Sequence, residues 1–329
     1  MAGDRRAALA ATWALPRPVL AAAGLLTVGL LAPVVAAYVA AGTTAALGLA
    51  MGYTGCLLPA TRLPARYALL LTVPLAMTAT VAAALPGQPF VAACFVALAC
   101  LLVAPATMLD AGVVAGLPTV AAVYLTLPVE QDPAQVAMWV LAGGALGVLV
   151  LARVGRPAAL RGLPARTAYV HAGTMAVAVG LTVLVVLHWE VPHGYWIAMT
   201  LTMVLRPFGA ETRRLARQRV AGTLAGALVA LALAALLPPW AALAAAGLLL
   251  VLMVGYAVLD RYGPTVACST PFIVLLGAGG GGVAALGLAV ERVGATVVGA
   301  VVAAGIALAL ARGEEGADDA AATPGLSGP

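Results

Sequence analysis

The sequence predicts an all-α protein, a polytopic bundle of about twelve transmembrane helices arranged as two parallel six-helix halves. Of its 329 residues, 64% are hydrophobic and only 9% are charged. That is more apolar surface than a water-soluble domain can bury, so lipid must serve as part of the solvent. The apolar runs also approach the roughly 20 residues that a helix needs to cross a bilayer. Most charged residues of the chain lie between these runs, whereas a water-soluble helix would carry charged residues along one face.

Proline and glycine divide the chain into these apolar runs. Turn-forming residues are concentrated at 86–89, 128–133, 238–239 and 279–282. The spans are predicted near 19–38, 40–58, 67–85, 90–108, 111–127, 135–152, 168–187, 194–205, 220–237, 240–258, 264–277 and 286–310.

The arginines predict the orientation of the spans. All 17 basic residues are arginine, and positive residues near span ends are retained on the cytoplasmic side. With the N-terminus inside, every arginine except Arg292 falls in a cytoplasmic segment, and the outer loops carry Glu130, Asp132 and Glu190. We therefore expect a multi-pass protein of the plasma (inner) membrane with both termini cytoplasmic.

A basic segment divides the predicted spans into two groups. Residues 1–152 form the N-terminal six-span half, 153–166 a short basic cytoplasmic linker, and 167–312 the C-terminal six-span half. An even number of spans in each half predicts a parallel pseudo-dimer. The acidic tail, 313–329, is expected to be disordered.

The C-terminal half contains an internal match. Arg219 opens RVAGTLAGALVA and Arg292 opens RVGATVVGAVVA, which are identical at seven of twelve positions. The two segments lie three spans apart, as a three-plus-three inverted repeat predicts. The alternative is a chance match among abundant Gly, Ala and Val. In both copies small residues recur at every fourth position, which favours close helix packing.

Several of these features together resemble a known family. The motif HGYW at 193–196, the RP at 206–207, the basic turn after it and RVAGTLAG at 219–226 are similar to the fusaric acid resistance protein family, also called integral membrane bound transporters. That family includes aromatic carboxylic acid exporters, and there is a more distant likeness to plant aluminium-activated malate channels. The resemblance covers roughly residues 167–310 and implies a membrane transporter.

Candidate substrate-binding residues follow from charge and aromaticity at membrane depth. An ionisable pair such as Glu291 and Arg292 is costly in lipid unless it is paired or hydrated, so it marks either an anion site or a structural ion pair. Aromatic rings near it either stack on an aromatic acid or anchor the chain at the interface. The candidates are Arg292, Glu291, Tyr195, Trp196, Arg206 and Arg219.

A second group of residues is a candidate for proton coupling. His188, Glu190 and His193 lie at the outer end of the seventh and eighth predicted spans, where histidine titrates near neutral pH. A solvated loop is the alternative interpretation. The basic turn formed by Arg206, Arg213, Arg214, Arg217 and Arg219 either attracts anionic substrate or binds anionic lipid headgroups.

The sequence favours transport over catalysis. It contains no HExxH, Walker or GxSxG motif, and its four cysteines lie in apolar runs without CxxC spacing. We therefore predict no enzymatic activity, metal, cofactor or nucleic-acid partner. The expected function is secondary export of small organic anions such as aromatic carboxylates, with the lipid bilayer as partner and a homo-oligomer allowed. The alternatives are an uncoupled anion channel and a membrane assembly protein that transports nothing.

The predicted orientation can be tested by cysteine labelling. In a background without native cysteines, Leu160→Cys should react with a membrane-impermeant thiol reagent only from the cytoplasmic side, because it lies in the basic linker. Gln131→Cys should react only from outside. Labelling of both positions from the same side would contradict the twelve-span topology.

Overall fold

The computed structural model describes residues 13–85, 87–109, 116–127, 132–154, 162–279 and 282–322. Of the described residues, 87% are helical and none lies in a strand. These ranges contain the helices α1 (Arg17–Arg62), α2 (Ala65–Leu70), α3 (Thr72–Ala83), α4 (Pro89–Thr107), α5 (Gly116–Thr126), α6 (Pro133–Val154), α7 (Ala165–His188), α8 (Tyr195–Val204), α9 (Gly209–Leu236), α10 (Pro239–Val258), α11 (Tyr262–Gly277) and α12 (Gly282–Ala322).

The predicted turn residues begin and interrupt these helices. Pro89, Pro133 and Pro239 are the first residues of α4, α6 and α10, where the missing proline N–H leaves no helical hydrogen bond unmade. Gly42 interrupts α1 with a φ of 80°, a left-handed backbone conformation that favours glycine. The kink at Gly42 falls within the first residues of the second predicted span, 40–58.

The lengths of the helices do not support the predicted number of spans. Within the described ranges, eight helical segments are long and apolar enough to cross a membrane, whereas α5, α8 and α11 are shorter. At 1.5 Å per residue, the ten residues of α8 extend about 15 Å, about half the thickness of the hydrocarbon layer. The all-helical membrane fold is confirmed, but twelve spans in two halves is not, because hydropathy measures apolar character and not how far a helix extends.

Glycine allows α1 and α6 to pack with their backbones in contact. A Cβ added at Gly52 of α1 would collide with the carbonyl oxygen of Val140, and one added at Gly143 of α6 would collide with that of Leu49. Small residues permit this close approach, and dispersion between the two backbones then stabilises the pair.

One hydrophobic core joins the two predicted halves. It includes Val96 of α4, Val183 of α7 and Leu201 of α8, and α4 packs along α7. Thr119 of α5 donates a hydrogen bond of 2.9 Å to Thr202 of α8. A smaller core lies among α9, α10, α11 and α12. The division at 153–166 stays a prediction, and residues 155–161 of that linker lie outside the described ranges.

Helix α12 extends beyond the last apolar residues. It continues as far as Ala322, into the segment 313–329 that the sequence predicts to be disordered. Extending an existing helix avoids the cost of nucleation. The disorder of the tail stays a prediction. Residues 323–329 lie outside the described part of the chain.

The close contact between α1 and α6 predicts a strong effect from a single methyl group. Gly143→Ala should lower the thermal unfolding temperature of the detergent-solubilised protein, since overpacking costs about 1–3 kcal/mol. Gly247→Ala on α10 is the matched control, because a Cβ there meets no atom within 4 Å. Equal unfolding temperatures for the two variants would contradict the packing of α1 on α6.

Candidate functional site

The turn between α7 and α8 is held by backbone hydrogen bonds and an unusual conformation. The Trp189 N–H donates to the Val185 carbonyl at 3.0 Å, and the Val191 N–H donates to the Val186 carbonyl at 2.9 Å. This closure requires a left-handed residue after the helix, and Glu190 takes that conformation at a φ of 49°. His193 is also left-handed, at 51°. Neither is glycine, so the turn carries backbone strain, which often accompanies functional sites.

His193 connects this turn to α8 and α12. Its ring is stacked on that of Trp196, with 5.0 Å between centroids and 16° between planes. Its Nδ1 lies 2.5 Å from Oε2 of Glu291. The predicted proton-coupling cluster therefore divides: His193 contacts the site, whereas His188 and Glu190 are exposed. His188 makes an edge contact with Trp189, and no hydrogen bond or ion pair joins the three residues in the described chain.

Trp196 and Arg292 form the buried centre of the site. Trp196 is 3% exposed, Arg292 is 2% exposed, and the guanidinium carbon lies 5.0 Å from the centroid of the indole ring. An arginine over the face of a tryptophan is attracted by the negative potential of the ring. Tyr195 packs edge-on against Trp196 at 5.3 Å. The structure thus brings together four predicted substrate-binding residues, Tyr195, Trp196, Glu291 and Arg292.

Arg292 does not form the ion pair that the sequence suggested. Glu291 pairs with His193, and no acidic side chain of the described chain pairs with Arg292. The reason is geometric, because successive residues of an α-helix project about 100° apart and do not face each other. The Nε and Nη1 atoms of Arg292 are buried without a hydrogen-bond partner in the described structure.

Arg219 is a second buried arginine. It is 3% exposed, its Nη1 lies 3.5 Å from the sulfur of Met203 in the last turn of α8, and its Nε has no partner among the described residues. A thioether is a weak acceptor, so Met203 compensates little of the charge.

Arg206 lies in the turn between α8 and α9, and its part in substrate binding stays a prediction. Its backbone N–H donates to the hydroxyl of Thr212 at 2.9 Å, and its side chain reaches the carbonyl of Leu205 at 3.1 Å. These contacts close the turn between α8 and α9. The neighbouring Arg214 and Arg217 are exposed on the first turns of α9. The basic turn therefore presents charge to the surroundings, while Arg219 alone of its members is buried.

A family comparison covers this region. Residues 181–306 match the family described as fusaric acid resistance protein-like. The matched segment contains the buried arginines, Trp196 and the α7–α8 turn, and it confirms the resemblance carried by the HGYW and RVAGTLAG motifs. No curated protein and no solved structure matches the chain. The chain is a membrane protein with eight long apolar helical segments in its described ranges, and its residues 181–306 are similar to the fusaric acid resistance protein-like domain.

The fusaric acid resistance protein-like domain also contains polar residues that the site prediction missed. The hydroxyls of Thr200, Thr223, Thr296 and Tyr262 are buried without a hydrogen-bond partner in the described ranges. The internal repeat contained a signal for two of them, since Thr223 and Thr296 each follow the opening arginine by four residues and share its helix face. Thr200 and Tyr262 lie on short helices, where no such pattern marks them.

The burial of Trp196 gives a test of the site within this domain. Trp196→Ala should lower the thermal unfolding temperature strongly, because truncating a buried tryptophan costs about 3–5 kcal/mol. Trp189→Ala is the matched control, since Trp189 is 67% exposed and exposed substitutions cost about 0.5 kcal/mol or less. Equal losses, measured by thermal unfolding in detergent, would place Trp196 outside the core.

Proposed function

We propose that this protein is a secondary transporter of the plasma membrane that exports small organic anions such as aromatic carboxylates. The observation that carries the proposal is Arg292, a guanidinium buried on the face of Trp196 with no acidic partner in the described structure. Its match to the fusaric acid resistance protein-like family supports a transport function.

The chemistry of the site supports an anionic aromatic substrate. A buried charge costs several kcal/mol when it is unpaired, and a carboxylate can compensate it through charge-assisted hydrogen bonds to a planar guanidinium. The Nε and Nη1 donors of Arg292 are unused in the described structure. Trp196 and Tyr195 supply aromatic surface beside that charge, which suits a ring attached to the carboxylate.

The contact between His193 and Glu291 supports a coupling role at the same site. It joins the α7–α8 turn to α12 next to Arg292, so separating the pair would open this edge of the site. Both partners are ionisable side chains, so a change in the charge of either one alters the strength of the contact. Export driven by protons would act through these residues, with Glu190 on the adjacent exposed turn.

Transport should depend on the charge of Arg292. In proteoliposomes supplied with labelled benzoate and aliphatic carboxylates, Arg292→Gln should reduce carboxylate flux about tenfold or more, because hydrogen bonds to charged groups contribute about 1.5–3 kcal/mol. Arg292→Lys should retain part of the flux. Arg217→Gln, which removes an exposed arginine from α9, should transport like the unchanged protein.

The same assay separates the alternatives. Flux that responds to an imposed pH gradient supports coupled export, and flux indifferent to it indicates an uncoupled channel. Absence of flux for every acid would favour the assembly protein. Wild-type flux in the Arg292→Gln variant would reject Arg292 as the anion-binding residue.

A further inference from the structure

The backbone of the α7–α8 turn recurs 70 residues later between α10 and α11. Hydrogen bonds from Trp189 to Val185 and from Val191 to Val186 have counterparts from Leu259 to Gly255 and from Arg261 to Tyr256. The left-handed residue recurs as well, as Glu190 with a φ of 49° and Asp260 with a φ of 55°. The two turns therefore share their hydrogen-bond pattern although their sequences differ.

The repeated turns and the internal sequence match define two related units, α7–α9 and α10–α12. Helix packing between these two units is reciprocal. A Cβ built on Gly226 of α9 would meet the carbonyl oxygen of Ala267 and the Cβ of Thr270 on α11. A Cβ built on Gly299 of α12 would meet the carbonyl oxygen of Ile197 and the Cβ of Thr200 on α8. The contacted residues of α8 and α11 are again 70 positions apart. The two glycines occupy the same position in the internal match, seven residues after its opening arginine. The long helix of each unit packs against the short helix of the other, α9 on α11 and α12 on α8. This is the contact pattern of partners related by a two-fold axis.

This relation makes Arg219 and Arg292 equivalent residues. They open the two copies of the repeat, and Thr223 and Thr296 follow them by four residues. Both arginines are buried, and Nε of each is without a partner in the described chain. The hydroxyls of the two threonines are likewise buried and unpartnered there. Arg292 lies beside the first turn of α8, at Trp196, and Arg219 beside the last, at Met203.

Two like charges in this interior require compensation that the described side chains do not supply. Arg219 and Arg292 both contact α8, and neither forms an ion pair with an acidic residue of the described ranges. Like charges repel most strongly where water is excluded. A ligand with two negative groups removes both the repulsion and the unmet hydrogen bonding, whereas a single carboxylate satisfies only one guanidinium.

We propose that Arg219 and Arg292 form one binding centre for a small organic dicarboxylate, with one carboxylate at each guanidinium. The inference rests on the proposed function and narrows its substrate class. The arginines contact opposite ends of α8, so a ligand with separated charges fits better than a compact dianion. Thr223 and Thr296 share the helix faces of the two arginines, and their unused hydroxyls donate to the same ligand.

Calorimetric titration of the detergent-solubilised full chain tests this centre with three probes: benzene-1,4-dicarboxylate, benzoate and inorganic phosphate. The dicarboxylate should bind about tenfold or more tightly than benzoate and phosphate, because it gains a second charge-assisted contact. Arg219→Gln and Arg292→Gln should each reduce its affinity to that of benzoate. The double variant should bind the dicarboxylate more weakly than either single one, since neither charge-assisted contact then remains. Arg217→Gln should bind like the unchanged protein.

Several results would overturn the shared centre. These are equal affinity for dicarboxylate and benzoate, tighter binding of phosphate, wild-type affinity in Arg219→Gln, or a double variant that binds the dicarboxylate as tightly as the single variants do. If either glutamine variant fails to fold, Thr223→Val and Thr296→Val replace the pair, and unequal losses from them contradict the equivalence. Benzoate transport that needs Arg292 and not Arg219 would support the proposed export function and reject the shared centre. Dicarboxylate binding without flux of any acid would support the shared centre and reject the export function.

Discussion

The constraint on which this architecture depends is the cost of placing an arginine in a medium that excludes water. Arg292 is 2% exposed, yet the neighbouring carboxylate of Glu291 turns to His193 and leaves it without a counter-ion among the described residues. The indole of Trp196 lies under the guanidinium, and the ring of His193 is stacked on the same indole. The strained turn before α8 places this histidine, so a local backbone conformation is tied to the accommodation of one charge. Removing any member changes the surroundings of the others, which makes the cluster cooperative.

Small residues provide the second requirement, which is close approach of the helices that carry the site. Glycine lets α9 pack on α11 and α12 on α8 with backbone atoms in contact, and alanine dominates the buried surface elsewhere. In lipid, water does not drive helices together, so dispersion between closely packed backbones has a large share in holding them. The large apolar side chains point outward instead; Val39, Leu236 and Val283 are all more than three-quarters exposed. The exterior suits hydrocarbon, and the interior keeps its few polar groups at fixed positions.

The sequence predicted the class of fold and the region of the site better than the details of either. Apolar composition and proline-marked breaks were sufficient for a helical membrane protein, and the HGYW and RVAGTLAG motifs located the matched segment at 181–306. The pairing of Glu291 with His193 was not predictable, because it joins residues almost a hundred positions apart and depends on the left-handed turn. The short α8 was predicted as a full span, since an apolar window does not show where a helix ends. Thr200 was missed because its importance arises from packing against Gly299 on another helix.

The two related units are alike in backbone and unlike in charge. The position equivalent to His193 is Gly263, and the position equivalent to Glu291 is Gln218, whose side chain lies 3.9 Å from where a Cβ would stand on that glycine. The contact between His193 and Glu291 joins two ionisable side chains, whereas the contact between Gly263 and Gln218 joins none. The two copies of one backbone pattern therefore differ in polarity, and this asymmetry lies in the side chains and not in the path of the chain.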